Sequence, residues 1–558
     1  IINGTVTVSK INSELTLAAP IRLNGTLDVT DNQGNQFADD PQLTLQSNLI
    51  FGVQDAAQSN VNSQEGGLAL NGTLTTQEGN RVIFRETESN SEDYTISGSG
   101  SLRNITVRNG GAGIDIGDDA SNGDAFGSAD LQFTGTVDLQ SGGITVQDDD
   151  AASDFSPSGP DATIRRDVTG SSTTIADGGS EATFNGDDKL YNLTLGGNTA
   201  SNVFADTGDE ITENVRDLTV ESGTAIDLNS TVGVSGVLDV AGTVATGDIG
   251  SSSESSPASD AQSINLVGDG VEHTVTGELI EAANSGTNVT DGKVVDLNVQ
   301  NDATITGGGT NGNLPSELND VIVEDTVDAA VSGIRDITGT VSLLNNSGSD
   351  TGSLSLDLAE AVDADQTVGD GIQVRDNTLT LASAVEVTGG DLNGATSGTP
   401  VVTTNGGATI DFAANDLIIG FNGGEYSAAS NTSYNTSGGA LVFDAGSSGG
   451  SAETLTAGSA IPNVEVSTPT DLGGDVTVDN TLLVNAGFGD GIDLNGNTLS
   501  ATGTVELATT TASGAGTTTR AVDENSSGGV FDVSDATILL STDGDPTQPL
   551  NRLTVSGN

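Results

Sequence analysis

The six residues LRNITV, Leu102 to Val107, carry the pattern that decides the fold, because it recurs along the chain. The pattern is an apolar residue, any residue, usually Asn or Asp, and then apolar, any, apolar. Alternation at its last three positions predicts a strand with one buried face. A polar residue just before the strand suits a corner, because Asn or Asp can adopt a left-handed conformation or hydrogen-bond its own backbone. The other copies are LYNLTL at Leu190, VRDLTV at Val215, VVDLNV at Val294, LNDVIV at Leu318, IPNVEV at Ile461 and LNRLTV at Leu550.

A second recurring phrase is Gly-Thr followed by an aliphatic residue, and it predicts a turn that leads into a strand. Gly supplies the backbone freedom that a tight turn requires, and Thr starts the strand. The copies are NGTVTV at Asn3, NGTLDV at Asn24, NGTLTT at Asn71, TGTVDL at Thr134, AGTVAT at Ala241, TGTVSL at Thr338 and TGTVEL at Thr502.

The spacing of the first phrase indicates stacked coils. It recurs 25 residues after Leu190 and 24 residues after Val294, which suits one coil of a β-solenoid, whereas 88 residues separate Leu102 from Leu190. Tandem immunoglobulin-like β-sandwiches are the alternative, because the longer intervals match a domain length. The short intervals and the lack of Trp favour an all-β, elongated parallel β-helix. We expect one continuous repeat array over residues 1–558, with loop insertions or breaks at 148–162, 247–263 and 445–458.

Composition agrees with a repeat array. Gly contributes 76 of 558 residues, aromatic residues make up 3%, and Trp, Cys and Met are absent, so a large core of bulky side chains is not expected. Helical periodicity is nearly missing, and Ser355 to Gln366 is one of few candidates. The absence of Met predicts a processed or partial chain. The first ten residues lack the regions of a signal peptide, so a targeting element, if the protein has one, is expected outside this sequence.

Charge is the strongest compositional signal. Asp and Glu number 79 against 15 Lys and Arg, which gives a net charge of −64. We do not expect the protein to bind nucleic acid, because no basic patch could neutralise phosphates. We do not expect it to insert into a membrane, because no apolar run of about 18 residues occurs. The acidic, lysine-poor balance resembles proteins of extreme halophiles, and high salt would screen the self-repulsion. A surface loaded with Ca²⁺ is the competing explanation.

Three longer stretches resemble known surface proteins. Gly66 to Gly111, which contains SGSGSLRNITV, resembles secreted bacterial right-handed β-helix proteins. Phe184 to Asn198 and Ile492 to Leu507 look like repeats of large bacterial cell-surface adhesins and surface-fibre proteins. The resemblance implies a right-handed β-solenoid in an extracellular fibre or adhesin, although the same repeats serve many functions.

Two Asp-rich loops are the candidate metal sites. Calcium prefers six to eight oxygen ligands, which alternating Asp and Asn can supply. The first loop departs from an EF-hand loop at Ala120 and Ala129, and no tandem copy of a calcium-binding nonapeptide follows Gly117, so solvated acidic turns are the simpler interpretation. The candidate ligands are Asp115, Asp118, Asp119, Asp124, Asp148 and Asp150.

Catalysis is not expected. The single histidine, His273, is interpreted as a partly exposed strand residue. Polysaccharide binding or cleavage is the alternative, because β-helices commonly carry such activity, but the clusters Arg81 with Arg85 and Arg165 with Arg166 are explained by ion pairing. No Trp forms a sugar-stacking platform, and the four Tyr are dispersed, with Tyr426 and Tyr434 in a polar loop.

Assembly is the expected function. Both the first and last strands of the chain carry the repeat pattern, and strand edges can pair with a second copy. The chain is therefore either part of a longer array or a subunit that joins another copy head to tail, with surface glycans as a further possible partner. The assembly residues are Ile1, Ile2, Val6 and Val8 at one end and Leu550, Leu553 and Val555 at the other. Sequons such as those at Asn431 and Asn435 would permit glycosylation of a secreted chain.

Overall fold

A computed structural model shows that the chain is all-β. Every regular element among the residues that the structure describes is a strand, and none is a helix. The described residues are 2–3, 6–7, 14–24, 27–29, 42–51, 67–76, 80–85, 94–108, 113–117, 129–141, 143–146, 154–158, 161–167, 175–177, 191–196, 200–203, 214–227, 232–246, 262–268, 271–275, 278–281, 295–307, 317–318, 320–324, 326–334, 336–337, 339–344, 352–358, 367–369, 371–388, 400–420, 423–444, 452–485, 491–509, 521–523 and 529–542.

The strands are short, which suits a chain rich in β-branched residues and Gly. Strands β1 to β17 are Ile2–Asn3, Val6–Thr7, Glu14–Leu17, Ile21–Asn24, Leu27–Val29, Gln42–Leu45, Leu49–Phe51, Gly67–Thr76, Val82–Arg85, Tyr94–Arg108, Ile114–Ile116, Ala129–Ser141, Ile144–Val146, Asp154–Pro157, Thr163–Asp167, Ile175–Asp177 and Asn192–Gly196. Strands β18 to β36 are Ala200–Val203, Asn214–Val215, Leu218–Val220, Ala225–Asp227, Val232–Val234, Leu238–Val240, Thr243–Thr246, Gln262–Leu266, Val271–Val275, Glu278–Glu281, Val295–Val299, Ala303–Gly307, Glu317–Leu318, Asp320–Val323, Asp328–Ile334, Asp336–Ile337, Thr340–Leu343, Ser353–Leu358 and Thr367–Val368. Strands β37 to β55 are Gly371–Arg375, Thr378–Leu381, Val385–Val387, Pro400–Asn405, Thr409–Asp411, Leu417–Ile419, Glu425–Ala428, Ser433–Asn435, Leu441–Phe443, Glu453–Ala457, Ile461–Val466, Thr470–Leu472, Val476–Asn485, Ile492–Asp493, Thr498–Ala501, Thr504–Thr509, Val522–Asp523, Val530–Asp532 and Thr537–Thr542.

The chain divides into two compact units. The first comprises Ile1–Val267 with Gly277–Val295, and the second comprises Gly268–Thr276 with Asp296–Asn558. In the first unit the long strand β10 pairs in parallel with β8, β9, β11 and β12. Further along, β17, β20 and β23 form one sheet, β18, β21, β24 and β27 a second, and β19, β22 and β25 a third.

The second unit repeats the three-sheet order. Its first sheet contains β26, β29, β32, β35, β38, β41 and β44 in parallel. Its second sheet runs from β30 through every third strand to β45 and continues through β47, β49, β51, β52, β54 and β55. Its third sheet contains β28, β31, β34, β37, β40, β43, β46, β48, β50 and β53. One passage through the three sheets is called a coil below.

The core is made of apolar residues that stack in register from coil to coil. On the third sheet of the second unit one such ladder is at most 1% exposed along its length: Val321, Val341, Ile372, Val402, Tyr426, Leu455 and Leu472. In the first unit Phe51 stacks on Phe84 with ring centroids 5.0 Å apart. Each fully buried aliphatic side chain contributes about 1.5–3 kcal/mol, so these ladders supply the stability that a single large core supplies elsewhere.

The prediction of an all-β fold with stacked parallel strands is confirmed. The alternative prediction of immunoglobulin-like sandwiches is wrong for the described residues. Such sandwiches are built from antiparallel sheets, whereas the strands of this chain pair in parallel. The helix candidate is also wrong over Ser355–Leu358, which belongs to β35 with alternating burial. Two of the expected insertions contain strands, Asp154–Pro157 and Glu453–Ala457.

Candidate functional site

A set of Asn and Asp side chains, called the corner array, joins successive coils at eight of the described positions. In each case the side-chain Oδ1 accepts a hydrogen bond from a backbone N–H of the following coil. A corner interrupts the strand ladder, so this oxygen satisfies a donor that would otherwise lose its partner. The pairs are Asn48 with Arg81, Asn104 with Thr136, Asp217 with Val237, Asp302 with Asp328, Asp320 with Thr340, Asp376 with Gly407, Asp416 with Ala440 and Asp475 with Thr498.

The first sequence phrase marks part of this array. Asn104, Asp217 and Asp320 are the polar residues of three copies, and Asn104 has the left-handed conformation expected, with φ of 54°. At these three positions the side-chain oxygen bonds the following coil, at 3.2, 2.8 and 2.5 Å. The copy at Leu550 lies outside the described residues.

Asn side chains form a second kind of contact between coils. The amide nitrogens of Asn377 and Asn497 each donate to a carbonyl of an earlier coil, Leu344 and Leu472 respectively, at 2.8 Å. Asn377 is 1% exposed, and its Oδ1 also accepts from the N–H of Gly352 at 2.9 Å. The two residues hold equivalent places in the repeated stretches GDGIQVRDNTL (369–379) and GDGIDLNGNTL (489–499). The repetition therefore preserves a hydrogen bond between coils.

Acidic side chains stack on the outer surface of the third sheet. Asp471 stands in register with Asp493, and Asp493 with Asp523. Burial raises the pKa of Asp471, and the charge of Asp493 raises it further. On the second sheet burial also raises the pKa of Glu465, with contributions from Asp416 and Asp444. These carboxylates repel one another at neutral pH, and dissolved ions would screen that repulsion.

His273 occupies an interior position and not the partly exposed one that the sequence suggested. It lies on β26, is 1% exposed and stands in register with Ile305. Burial lowers the pKa of the imidazole to about 4, since the charged form is disfavoured away from water. The side chain is neutral above that pH and acts as a packing residue.

The arginine clusters contain ion pairs with partners that are distant in sequence. Arg81 contacts Asp138 at 3.0 Å and also donates to the hydroxyl of Thr106 at 3.2 Å. Arg165 makes two bonds to Glu221, at 2.6 and 3.0 Å, and lowers the pKa of that carboxyl. Ion pairing is confirmed as the role of Arg81 and Arg165. Glu86 and Glu88, near which Arg81 lies in the sequence, are outside the described residues.

Only one of the six candidate calcium ligands, Asp115, lies among the described residues. Asp115 lies on β11, half-buried and in register with Thr145. Asp118, Asp119, Asp124, Asp148 and Asp150 lie outside the described residues. Within the described part of the chain, no group of three or more His, Cys, Asp or Glu is placed to hold a metal ion. Calcium binding stays a prediction.

Two of the seven predicted assembly residues, Ile2 and Val6, lie among the described residues. Ile2 lies on β1, is 41% exposed and stands in register with Leu23, and Val6 lies on β2 opposite Leu27. Ile1, Val8, Leu550, Leu553 and Val555 fall outside the described residues. Near the other end of the described chain, Val530 and Leu539 are 53% and 47% exposed.

The two tyrosines that the sequence assigned to a polar loop lie on strands. Tyr426 and Tyr434 are not in a polar loop: they belong to β43 and β44, and their hydroxyls lie 3.1 Å apart. Burial raises the pKa of Tyr434 to about 12. Tyr426 is fully buried, so it offers no surface to a sugar ring.

Comparison with known proteins identified no relative. No protein-family model, no curated protein and no solved structure matches this chain. In the described residues no helix has the length and apolar character needed to cross a membrane.

Proposed function

We propose that the chain is a non-enzymatic structural protein, in which each unit is a right-handed β-solenoid that forms part of an extracellular surface fibre or adhesin in high salt. The observation that carries the proposal is the repeated order of three parallel sheets, with buried positions that stack in register from coil to coil. Right-handedness follows the general preference of parallel crossover connections. Such an array gains length by adding coils, which suits a stalk or fibre.

The distribution of polar groups supports a structural role. Side chains that could serve as catalytic acids or bases, such as Asp217 and Asp320, are engaged with backbone N–H groups of the next coil. His273 is buried in an aliphatic ladder. The corner carboxylates of Asp217 and Asp320 hold neighbouring coils together and contribute to the acidic charge of the chain.

Salt dependence tests the proposed habitat. The net charge of −64 and the raised pKa values of Asp471 and Glu465 imply repulsion that monovalent salt would screen, because the Debye length falls to about 3 Å at 1 M. We expect the unfolding midpoint of the full chain to rise with NaCl and KCl alike. Stabilisation by millimolar CaCl₂ at low ionic strength, with no further gain from NaCl, would instead show a calcium-loaded surface.

Strand pairing between copies is the proposed route of assembly. Within the described residues β1, β2 and β3 each pair on one side, with β4, β5 and β6. A strand edge exposes backbone donors and acceptors that another strand can use. Sedimentation and negative-stain images of the full chain in high salt should show concentration-dependent end-to-end species, and deletion of residues 551–558 should abolish them. Unchanged monomers in both preparations would refute self-assembly.

A further inference from the structure

Two sequons lie side by side at the end of the first sheet of the second unit. Asn431-Thr432-Ser433 begins in the turn after β43, and Asn435-Thr436-Ser437 begins on the last residue of β44. Both asparagines and both serines are exposed. Their backbone is fixed: the N–H of Thr432 donates to the carbonyl of Ala429 at 3.1 Å, and that of Phe412 donates to the carbonyl of Asn435 at 2.9 Å.

The middle residue of each sequon, Thr432 or Thr436, holds the segment in place. The hydroxyl of Thr432, which is 4% exposed, lies 2.6 Å from that of Thr404. The hydroxyl of Thr436 donates to the carbonyl of Gly439 and accepts from the N–H of Gly438, both at 3.0 Å. The segment is thus anchored through its threonines, while the Asn and Ser side chains face solvent.

In two other sequons whose asparagine side chains are described, the asparagine makes a hydrogen bond to another coil. The Oδ1 of Asn104 accepts the N–H of Thr136 at 3.2 Å, and a Cβ on Gly135 would come within 2.5 Å of that same oxygen. The Oδ1 of Asn192 accepts from Nε of Arg216 at 3.0 Å. Both asparagines are part of the contacts between coils. A glycan on either amide would displace a neighbouring coil.

The position of Asn435 gives a glycan a physical role. Strand β44 has a described ladder partner on one side only, β41, and its three residues are exposed, half-buried and exposed. An edge of this kind can pair with another chain, and proteins commonly blunt such edges with bulky or charged groups. A solvated oligosaccharide at Asn435 would shield it.

We propose that Asn431 and Asn435 are N-glycosylation sites, with a lipid-linked oligosaccharide as the glycosyl donor. In the transfer the amide Nδ2 forms a bond to the anomeric carbon of the first sugar and loses one proton to a base of the transferase. The bond from that carbon to the phosphate oxygen breaks, and the polyprenyl phosphate or diphosphate leaves. The inference rests on the proposed extracellular role, since the transferase acts on exported chains.

The test is glycosylation of the folded full chain in vitro. The protein in high salt is incubated with an oligosaccharyltransferase and a lipid-linked oligosaccharide, using a preparation that glycosylates a free peptide of residues 429–438. Glycopeptides are mapped by mass spectrometry. We expect glycan at Asn431, Asn435 or both, and none at Asn104 or Asn192. Ser433→Ala and Ser437→Ala, which keep each asparagine, should remove modification at Asn431 and Asn435 respectively.

Two results would overturn the inference. One is a folded chain that stays unmodified at both sites while the peptide is glycosylated. The other is modification of Asn104 or Asn192 in the folded chain to the same extent. Neither result would bear on the structural role, which the salt and sedimentation experiments test separately.

Discussion

Asp471 shows how a single residue reports on the acidic surface. Its carboxylate stands one coil from Asp493, and its pKa is raised by burial and by that neighbour. The folded state binds the proton of the Asp471 carboxyl more tightly than the unfolded state does. The free energy of unfolding therefore falls as pH rises from the ordinary Asp pKa through the raised one. Asp471→Asn should therefore stabilise the protein at pH 7, by less than about 1 kcal/mol, since like charges opposite each other cost that much.

The stabilisation by Asp471→Asn should shrink in 2 M NaCl and at low pH, as measured by urea denaturation. Asp479→Asn, at an exposed position on β49, is the control for the loss of one charge. An equal gain in both variants would show that the in-register row has no effect of its own.

His273 gives the opposite pH dependence. Burial lowers the pKa of its imidazole to about 4, so the unfolded chain takes up a proton from about pH 6.5 downward while the folded chain does not. The side chain's contribution to stability is complete above that range and is lost as pH falls. Relative to His273→Leu, the wild type should lose about 2 kcal/mol between pH 7 and pH 5. Parallel stability curves of the two proteins over this range would contradict the burial of His273.

Asn377 tests the contacts between coils. Asn377→Ala leaves the N–H of Gly352 and the carbonyl of Leu344 without their side-chain partner in a buried setting. We expect the free energy of unfolding to fall by about 2–3 kcal/mol. Asn431→Ala, in an exposed turn, should change it by less than about 0.5 kcal/mol. Similar urea midpoints for the two variants would show that the buried amide contributes little.

At the scale of elements, the sequence predicts the strands better than their partners. The phrase at Val215 crosses from β19 to β20, and the phrase at Leu318 crosses from β30 to β31, so the pattern marks a corner followed by a strand. It does not show which corner, because these two copies enter different sheets. The partner coil also depends on loop lengths that vary, and no local pattern encodes them.

Glycine positions show the same limit. The Gly-Thr phrase predicts turn glycines, and Gly135 does have a left-handed φ of 74°. At Gly242 and Gly503 the reason is instead close approach of an earlier coil: a Cβ would lie 2.3 Å from the carbonyl oxygen of Thr224 and 2.0 Å from that of Asn480. Contact between coils is a tertiary property. His273 was misjudged for the same reason, since its burial depends on the ladder around it.

Gly503→Ala should destabilise the second unit, because the backbone of Asn480 must move to admit the methyl group. The expected loss is about 1–3 kcal/mol. Gly474→Ala is the matched control, since its Cβ would meet only Thr456 Cγ2 at 3.8 Å. Thermal denaturation of both variants gives the comparison. Equal midpoints would mean that the coils are further apart at Gly503 than the structure shows.

At the scale of the whole molecule, stability comes from repetition. Each coil adds a few buried aliphatic residues and a few corner hydrogen bonds, and each contributes mainly to its neighbours. The acidic residues serve both purposes, since corner carboxylates such as Asp416 bind the next coil while the surface remains strongly charged. The chain has no cysteine, so each unit is built without disulfides, and most of its buried ladder positions are aliphatic.

Cysteine cross-linking tests the parallel stacking of coils most directly, because the chain contains no cysteine. Ser355 and Thr380 stand in register on β35 and β38, at a separation that a disulfide can bridge. Thr403 lies on the third sheet, in register with Gln373. Ser355→Cys with Thr380→Cys should form a disulfide under mild oxidation of the folded full chain, as read by mass spectrometry, whereas Ser355→Cys with Thr403→Cys should not. Failure of the first pair, or equal cross-linking of the second, would contradict the stacked parallel coils.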